Sequence, residues 1–230
     1  MLARNVPLSI LTLAIGVLIV TLLAISVSTG ISQGFDRAVI EVVRSDATRT
    51  FFSPMRWITE MGSTEAVTLV AGITLLVGVL VGPWRHGAIG ALTIALASVG
   101  NQGLKAFVAR SRPDLLEPIV VEHGFSFPSG HAILSMVAYG VLGVLIMRSR
   151  LPLPARRIIA GILGVLILVI GISRVWLGVH FPTDVLAGWT AGAVIVLVYA
   201  RLTRSVSPEP AAAALDADPA GPRSDRPAPG

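Results

Sequence analysis

The sequence predicts an all-α membrane protein, a polytopic bundle of six transmembrane helices with a short amphipathic helical segment on its outer side. Three observations predict it. Hydrophobic residues fill 53% of the 230 positions and charged residues only 13%, with a mean hydropathy of +0.79, which is far too apolar for an ordinary soluble domain. Six runs approach the roughly 20 apolar residues that cross a hydrocarbon core. Each is bounded by Arg, Pro or Trp, as where a helix reaches the membrane interface.

In chain order the runs cover about Val6 to Thr29, Ala66 to Pro83, Ala88 to Val108, His131 to Met147, Ile158 to Val175 and Val185 to Ala200. The first is longer than the 7 to 15 apolar residues typical of a signal peptide, so it reads as a span rather than a cleaved leader. Six such apolar runs cannot all be the core of so small a soluble domain. Together they make one six-span domain over residues 1–204. Within it, a segment at about 31–63 is expected to cap the outer face. Phe35, Val39, Ile40 and Val43 recur there at helical spacing, which suits a helix lying on the membrane surface. Residues 205–230, rich in Pro, Ala and Asp, cannot bury a core and are expected to form a disordered cytoplasmic tail. No internal repeat is present.

Charge orients the bundle. With six spans both termini share a side, and on that side fall Arg4, Arg85, Arg148, Arg150, Arg156, Arg157, Arg201 and Arg204, with no acidic residue before Glu209. The other side mixes basic residues with Asp36, Glu60, Glu122, Asp184 and other acids. Positive residues mark the cytoplasmic face, so the termini are expected inside and the opposite connections outside, in a cell membrane. The net charge of +5 then reflects topology and contact with anionic headgroups. No basic patch alternates with aromatics, and no nucleic-acid partner is expected. There are no cysteines, which excludes disulfides, thiolate catalysis and thiolate-held metals.

Ionisable groups at membrane depth or at span ends are costly, so their placement is informative. They form three clusters. Lys105 and Arg112 close the third span; seven residues is near two helical turns, so both cations are expected on one helix face, with Pro113 helping to end the helix. Pro128-Ser129-Gly130-His131 opens the fourth, where Gly130 admits close backbone approach and a helix N-terminus offers unpaired N–H groups to an anion. Ser173-Arg174, His180 and Asp184 join the fifth span to the sixth, with Pro182 in the first turn of the last helix.

Span parity puts all three clusters on the outer side, where Lys105, Arg112, Arg174 and two helix N-termini can surround one tetrahedral anion. Such positive charge suits phosphoryl transfer, whose loose transition state spreads negative charge over three oxygens. Ser129 has a nearby histidine but no orienting acid. His180 has Asp184 one turn away to hold one ring nitrogen as N–H and leave the other free to attack phosphorus. His131 can then protonate the leaving oxygen.

The pattern resembles the signature of the type-2 phosphatidic acid phosphatase superfamily, the lipid phosphate phosphatases: Lys, six residues, Arg-Pro; Pro-Ser-Gly-His; then Ser-Arg, five residues, His, three residues, Asp. Lys105 with Arg112-Pro113, Pro128 to His131, and Ser173-Arg174 with His180 and Asp184 match it without a departure. The resemblance covers Lys105 to Asp184 and the six-span layout. It implies hydrolysis of a terminal phosphate on a membrane lipid through a phosphohistidine on His180. It also implies phosphate contacts from Lys105, Arg112, Ser129, Gly130 and Arg174, with no cofactor or metal required.

Each residue also has a structural reading: Lys105 and Arg112 as snorkelling interface cations, His131 as a helix-end histidine, Arg174 with Asp184 as an ion pair. Convergence on one side favours the chemistry. His123 is read as a loop residue and His86 as remote from the site. Trp57, Trp84, Trp176 and Trp189 are read as interface belts or packing. A transporter would distribute charges through the membrane depth, and the related vanadate haloperoxidases are soluble. A lipid phosphotransferase is the nearer alternative. Undecaprenyl diphosphate, phosphatidic acid and phosphatidylglycerophosphate all present the same terminal phosphate, and chain packing between spans is what separates them.

Overall fold

In hydrocarbon no solvent can satisfy a peptide group, so long apolar runs must close their hydrogen bonds internally and become helices. The computed structural model describes residues 8–44, 52–81, 83–114 and 122–204; Arg4 and the tail from residue 205, expected to be disordered, lie outside the described residues. The helices are α1 (Leu8–Ser28), α2 (Gln33–Val43), α3 (Phe52–Glu60), α4 (Thr64–Val81), α5 (Trp84–Val108), α6 (Gly130–Met147), α7 (Leu153–Trp176) and α8 (Pro182–Leu202). Among the described residues there is no strand. Five helices, α1 and α5 to α8, are long and apolar enough to cross a membrane, and α3 with α4, joined across a 46° bend, brings the count to six if the pair is one broken span. The expected cap therefore divides into two: α2 stands alone, whereas α3 continues into α4.

α6 sits at the centre. Half of its span is buried against other helices, compared with 11% for α1. Val137, Ala138 and Val141 of α6 pack with Ile94, Ile167, Ile170 and Tyr199 into the main core, and in a membrane it is this close packing, not burial from water, that favours association of the helices. Trp189 packs against this core, whereas Trp57 and Trp84 are exposed as interface residues would be.

Two features bring the functional residues together. α6 and α8 approach so closely that a Cβ on Gly188 would lie 2.9 Å from the Ser129 carbonyl and from Ala132 Cβ, so no larger residue fits. The Ser129 N–H donates to the Asp184 carbonyl at 3.0 Å, and the N-termini of the two helices lie side by side. We call this end of the bundle, where α5 and α7 finish and α6 and α8 begin, the site end.

α2 rests on the site end, and its buried face differs from the expected one. Ile40 is buried and Val43 packs beside it, but Phe35 is exposed and Asp36 is fully buried in its place. Asp36, Ile40 and Val43 follow the helical spacing, centred one residue later than Phe35 would centre it. The cause is a cation under Asp36, Arg110, described below.

Candidate active site

α5 delivers Lys105 and then stops earlier than expected. Ala109 takes a left-handed conformation at φ 51°, its N–H donating to the Lys105 carbonyl, and residues beyond it run without helix to Asp114. Arg112 is therefore not on the α5 face with Lys105, and Pro113 is not what ends the helix. The αL turn redirects the chain across the site end, so Arg112 reaches the cavity from a loop. Backbone carbonyls fix it there: Arg112 donates to Gly124 at 3.1 Å, His123 at 3.1 Å and Val179 at 2.9 Å. Lys105 Nζ donates to the Phe125 carbonyl at 2.6 Å.

After α7 the chain must double back. Gly178, at φ 76°, supplies the left-handed turn that a side chain would resist. The Val179 and His180 N–H groups then return to the Arg174 carbonyl at 3.2 and 3.3 Å. This places His180 one step before α8, whose first turn carries Pro182 and Asp184.

A cavity of about 430 Å³ opens at the site end, lined by Lys105, Arg112, Gly130, His131 and His180 together with Glu122, His123 and Asn101. Five of the eight residues expected at the site thus share one wall. Arg174, Asp184 and Ser129 are buried behind it. The Ser129 hydroxyl, expected to touch phosphate, is the N-cap of α6, accepting from the Ala132 N–H. Arg174 donates to Thr59 at 2.8 Å and pairs with Glu122, and Glu122 also pairs with Arg112 at 3.2 Å. Arg174 and Asp184 are accordingly not an ion pair with each other. Burial pushes the Glu122 carboxyl up, but Arg174 and then His131 outweigh it and hold it below the usual carboxylate range. One carboxylate therefore lies across two cations, Arg112 in the cavity lining and Arg174 buried behind it.

His180 is 1% exposed with Nδ1 3.4 Å from Asp184 Oδ2 and Nε2 3.3 Å from Arg112 Nη1. An ionised carboxylate only accepts, so Nδ1 carries the hydrogen and Nε2 keeps its lone pair. Burial pushes the imidazole down to about 4 against the upward pull of Asp184, and it is neutral at pH 7. Asp184 is held on every side. Oδ2 accepts from Ser126 Oγ and, at 2.9 Å, from the Phe181 N–H; Oδ1 accepts from Arg110 at 2.6 Å. A neutral, oriented imidazole beside a cluster of cations at two helix N-termini can act as a nucleophile toward a tetrahedral anion.

A second cavity of about 550 Å³ lies between α1, α5 and α8 and is lined by Val17, Leu96, Val194, Val198 and other apolar residues. Val17, Leu96 and Leu202 are exposed on its flank. Asn101 lines both cavities. It is 3% exposed, and its carboxamide oxygen has no protein partner.

Asp36, Arg110, Glu122, Ser126 and Asn101 were not singled out by sequence. A signal existed for Asp36, which falls at helical spacing with Ile40 and Val43, so that a carboxylate sits in an apolar stripe. Arg110, Glu122 and Ser126 come from irregular segments whose course no periodicity reports. His86 is buried, and its carbonyl accepts from Tyr199 at 3.1 Å, well away from the cavity.

Three comparisons bear on this arrangement. Phosphatidylglycerophosphatase B of Bacillus subtilis is 43% identical over 100 residues, 41% of this chain and 47% of that protein. An undecaprenyl-diphosphatase of Sulfolobus acidocaldarius is 33% identical over 111 residues, 45% and 48% of the two chains. The chain thus matches about half the length of these curated relatives. The crystal structure of a transmembrane PAP2-type phosphatidylglycerolphosphate phosphatase from Bacillus subtilis superposes with a TM-score of 0.75 at 27% identity, covering 85% of this chain and 98% of that one. The PAP2 superfamily model matches residues 86–207, a stretch that contains every residue of the three-part signature, and the chain belongs to the PAP2 superfamily.

Proposed function

We propose that the protein is a membrane lipid phosphatase that removes the terminal phosphate of a lipid phosphate or diphosphate through a phosphohistidine on His180. The observation that carries this reading is the convergence of Lys105, Arg112, His131 and His180 on one cavity, beside an apolar cavity that shares Asn101 with it. The first suits a phosphate, and the second, whose lining runs from Asn101 to Leu202 at the far end of α8, suits a hydrocarbon chain. The names of the relatives, one a phosphatidylglycerophosphatase and one an undecaprenyl-diphosphatase, agree with such substrates.

In the reaction His180 Nε2 attacks phosphorus, the bond from phosphorus to the leaving oxygen breaks, and His131 gives that oxygen a proton. Water then loses a proton to His131 as its oxygen attacks phosphorus, the P–N bond breaks, and orthophosphate leaves. Lys105, Arg112 and Arg174 stabilise the charge on the transferring group, and the N-termini of α6 and α8 add their dipoles. The basic residues Arg85, Arg148, Arg150, Arg156, Arg157, Arg201 and Arg204 all lie toward the end opposite the site. By the positive-inside rule the site then faces out of the cell and the C-terminal end lies in the cytoplasm.

The test is phosphate release by the purified protein in detergent micelles, with chelator, from undecaprenyl diphosphate, phosphatidic acid and phosphatidylglycerophosphate. His180→Ala is expected to abolish release from whichever lipid is turned over. Turnover that survives this change rejects the assignment, and transfer to a lipid acceptor outpacing hydrolysis favours a phosphotransferase.

A further inference from the structure

We propose that Asp36 and Arg110 are positioning residues for this reaction: Arg110 bridges the carboxylates of Asp36 and Asp184, so that the seating of α2 on the bundle sets the orientation and charge of the acid behind His180. The inference rests on the phosphatase reading above and adds to it an element, α2, that lies outside the signature.

One guanidinium serves both acids. Arg110 Nη2 donates to Asp36 Oδ2 at 2.6 Å and Nη1 to Asp184 Oδ1 at 2.6 Å, with Thr183 Oγ1 2.8 Å from Nη1. Its plane lies 3.9 Å above the Phe181 ring, and its carbonyl accepts from the Ser126 N–H at 2.8 Å. Asp36 in turn accepts from the Thr183 N–H at 3.0 Å and from its hydroxyl at 2.8 Å. A carboxylate from α2 therefore satisfies a backbone donor in the first turn of α8, the turn that carries Asp184. Both acids are 0% exposed.

A surface helix needs only an apolar face to sit on a bundle, and burying a carboxylate there is costly unless it is fully paired. The carboxylate is spent on Arg110 and on Thr183, the two groups that touch Asp184 or precede it. With Oδ1 held by Arg110 and Oδ2 shared among Ser126, Phe181 and His180, the Asp184 carboxylate has one orientation left. Arg110 also draws charge from it. Without that cation the full carboxylate charge acts on His180 and makes the imidazole more basic.

The other groups that face His180 are Arg112 from the segment after α5, Lys105 from α5, His131 from α6, Arg174 from α7 and Glu122 from the loop before α6. None changes in the variants that test the proposal. The experiment follows kcat, KM and the pH dependence of kcat/KM for phosphate release from the preferred lipid by wild type, Arg110→Gln, Arg110→Lys, Asp36→Asn, and Asp36→Asn with Arg110→Gln.

Arg110→Gln is expected to lower kcat at least tenfold and to move the acidic limb of kcat/KM up by about one pH unit. Arg110→Lys keeps the charge but loses the two-pronged reach; its limb is expected to stay in place while kcat still falls. Asp36→Asn is expected to lower kcat with KM within twofold, and the double variant to be no worse than Arg110→Gln alone. An unmoved limb in Arg110→Gln, full kcat in Arg110→Lys, or losses that multiply in the double variant would each overturn the proposal. Should Arg110→Gln fail to fold, the kcat of Arg110→Lys and the KM of Asp36→Asn still decide it. A wild type without phosphatase activity, or an active His180→Ala, would instead remove the reading on which it rests.

Discussion

The two ends of the bundle use arginine for opposite purposes. At the end away from the site, Arg148 donates to the Ala200 carbonyl at 2.5 Å and to Thr203, and Arg156 donates to the Met147 carbonyl at 2.8 Å. These cations meet the C-terminal carbonyls of α6 and α8, where the helix dipole is negative, and the ends are electrically settled. At the site end the same two helices present their N-termini, where a carboxylate would be the settling partner. At α8 Asp184 and Asp36 take that place, yet the sequence also brings four cations, Lys105, Arg110, Arg112 and Arg174. Asp36 and Asp184 balance Arg110, and Glu122 is left to answer both Arg112 and Arg174. Within this cluster four cations meet three carboxylates, and that excess beside the cavity is what the proposed anion site rests on.

The largest effect expected from breaking this contrast is at Arg174. Changing it to Ala removes the cation, buried behind the cavity, that the proposed mechanism uses to stabilise the transferring charge, and kcat/KM should fall about 10²- to 10³-fold, the scale of losing one preorganised donor. Breaking a buried pair also costs about 3–5 kcal/mol, so thermal unfolding must be followed beside the phosphate assay. A stable Arg174→Ala variant with near-native turnover would show that the cations serve packing alone.

Next in size is the pH response. In the proposed reaction His180 attacks only as the neutral imidazole, and burial holds its folded value at about 4 against an ordinary value near 6.5. The neutral fraction is retained above about pH 4 and lost as pH falls through it. The acidic limb of kcat/KM is therefore expected to lie well below pH 6. A limb at 6.5 would mean that the imidazole is open to water and that Asp184 does not hold it in a dry site.

How much of this was legible in the residues follows from where each one sits. His180, Asp184, Ser129 and Gly130 lie at helix starts, and helix starts have sequence signals: Pro182 at the first position, Ser129 as N-cap. Their convergence follows from span parity, which needs only the order of apolar runs. The reading failed where backbone conformation, not periodicity, decides. The seven-residue step from Lys105 to Arg112 suggested a shared helix face, but Ala109 enters the left-handed region, which nothing about an alanine announces. Nothing in the sequence sets Arg110, two residues before Arg112, apart from the other cations. Its importance depends on Asp36, 74 positions away, a distance over which no pattern in one chain speaks.

A smaller effect is expected at Glu122, which occupies the cations that phosphate must reach. Glu122→Gln removes the competing charge and keeps the shape, so KM for the lipid and the inhibition constant for inorganic phosphate should both fall several-fold, with kcat little changed. Steady-state kinetics with phosphate as product inhibitor measure both. A rise in KM would instead make Glu122 a residue that holds Arg112 and Arg174 in place for the substrate.

The smallest effect belongs to the opposite end, and it is the control that gives the contrast its meaning. Arg148→Ala deletes hydrogen bonds at the end of α8, worth about 0.5–1.5 kcal/mol, and removes one of the cations at that end. The melting temperature should drop by a few degrees while kcat and KM stay at wild-type values, because Arg148 lies a full membrane span from His180. Loss of turnover in Arg148→Ala without loss of stability would show that the field of α6 and α8 is felt along their whole length, and the two ends could no longer be treated as separate devices.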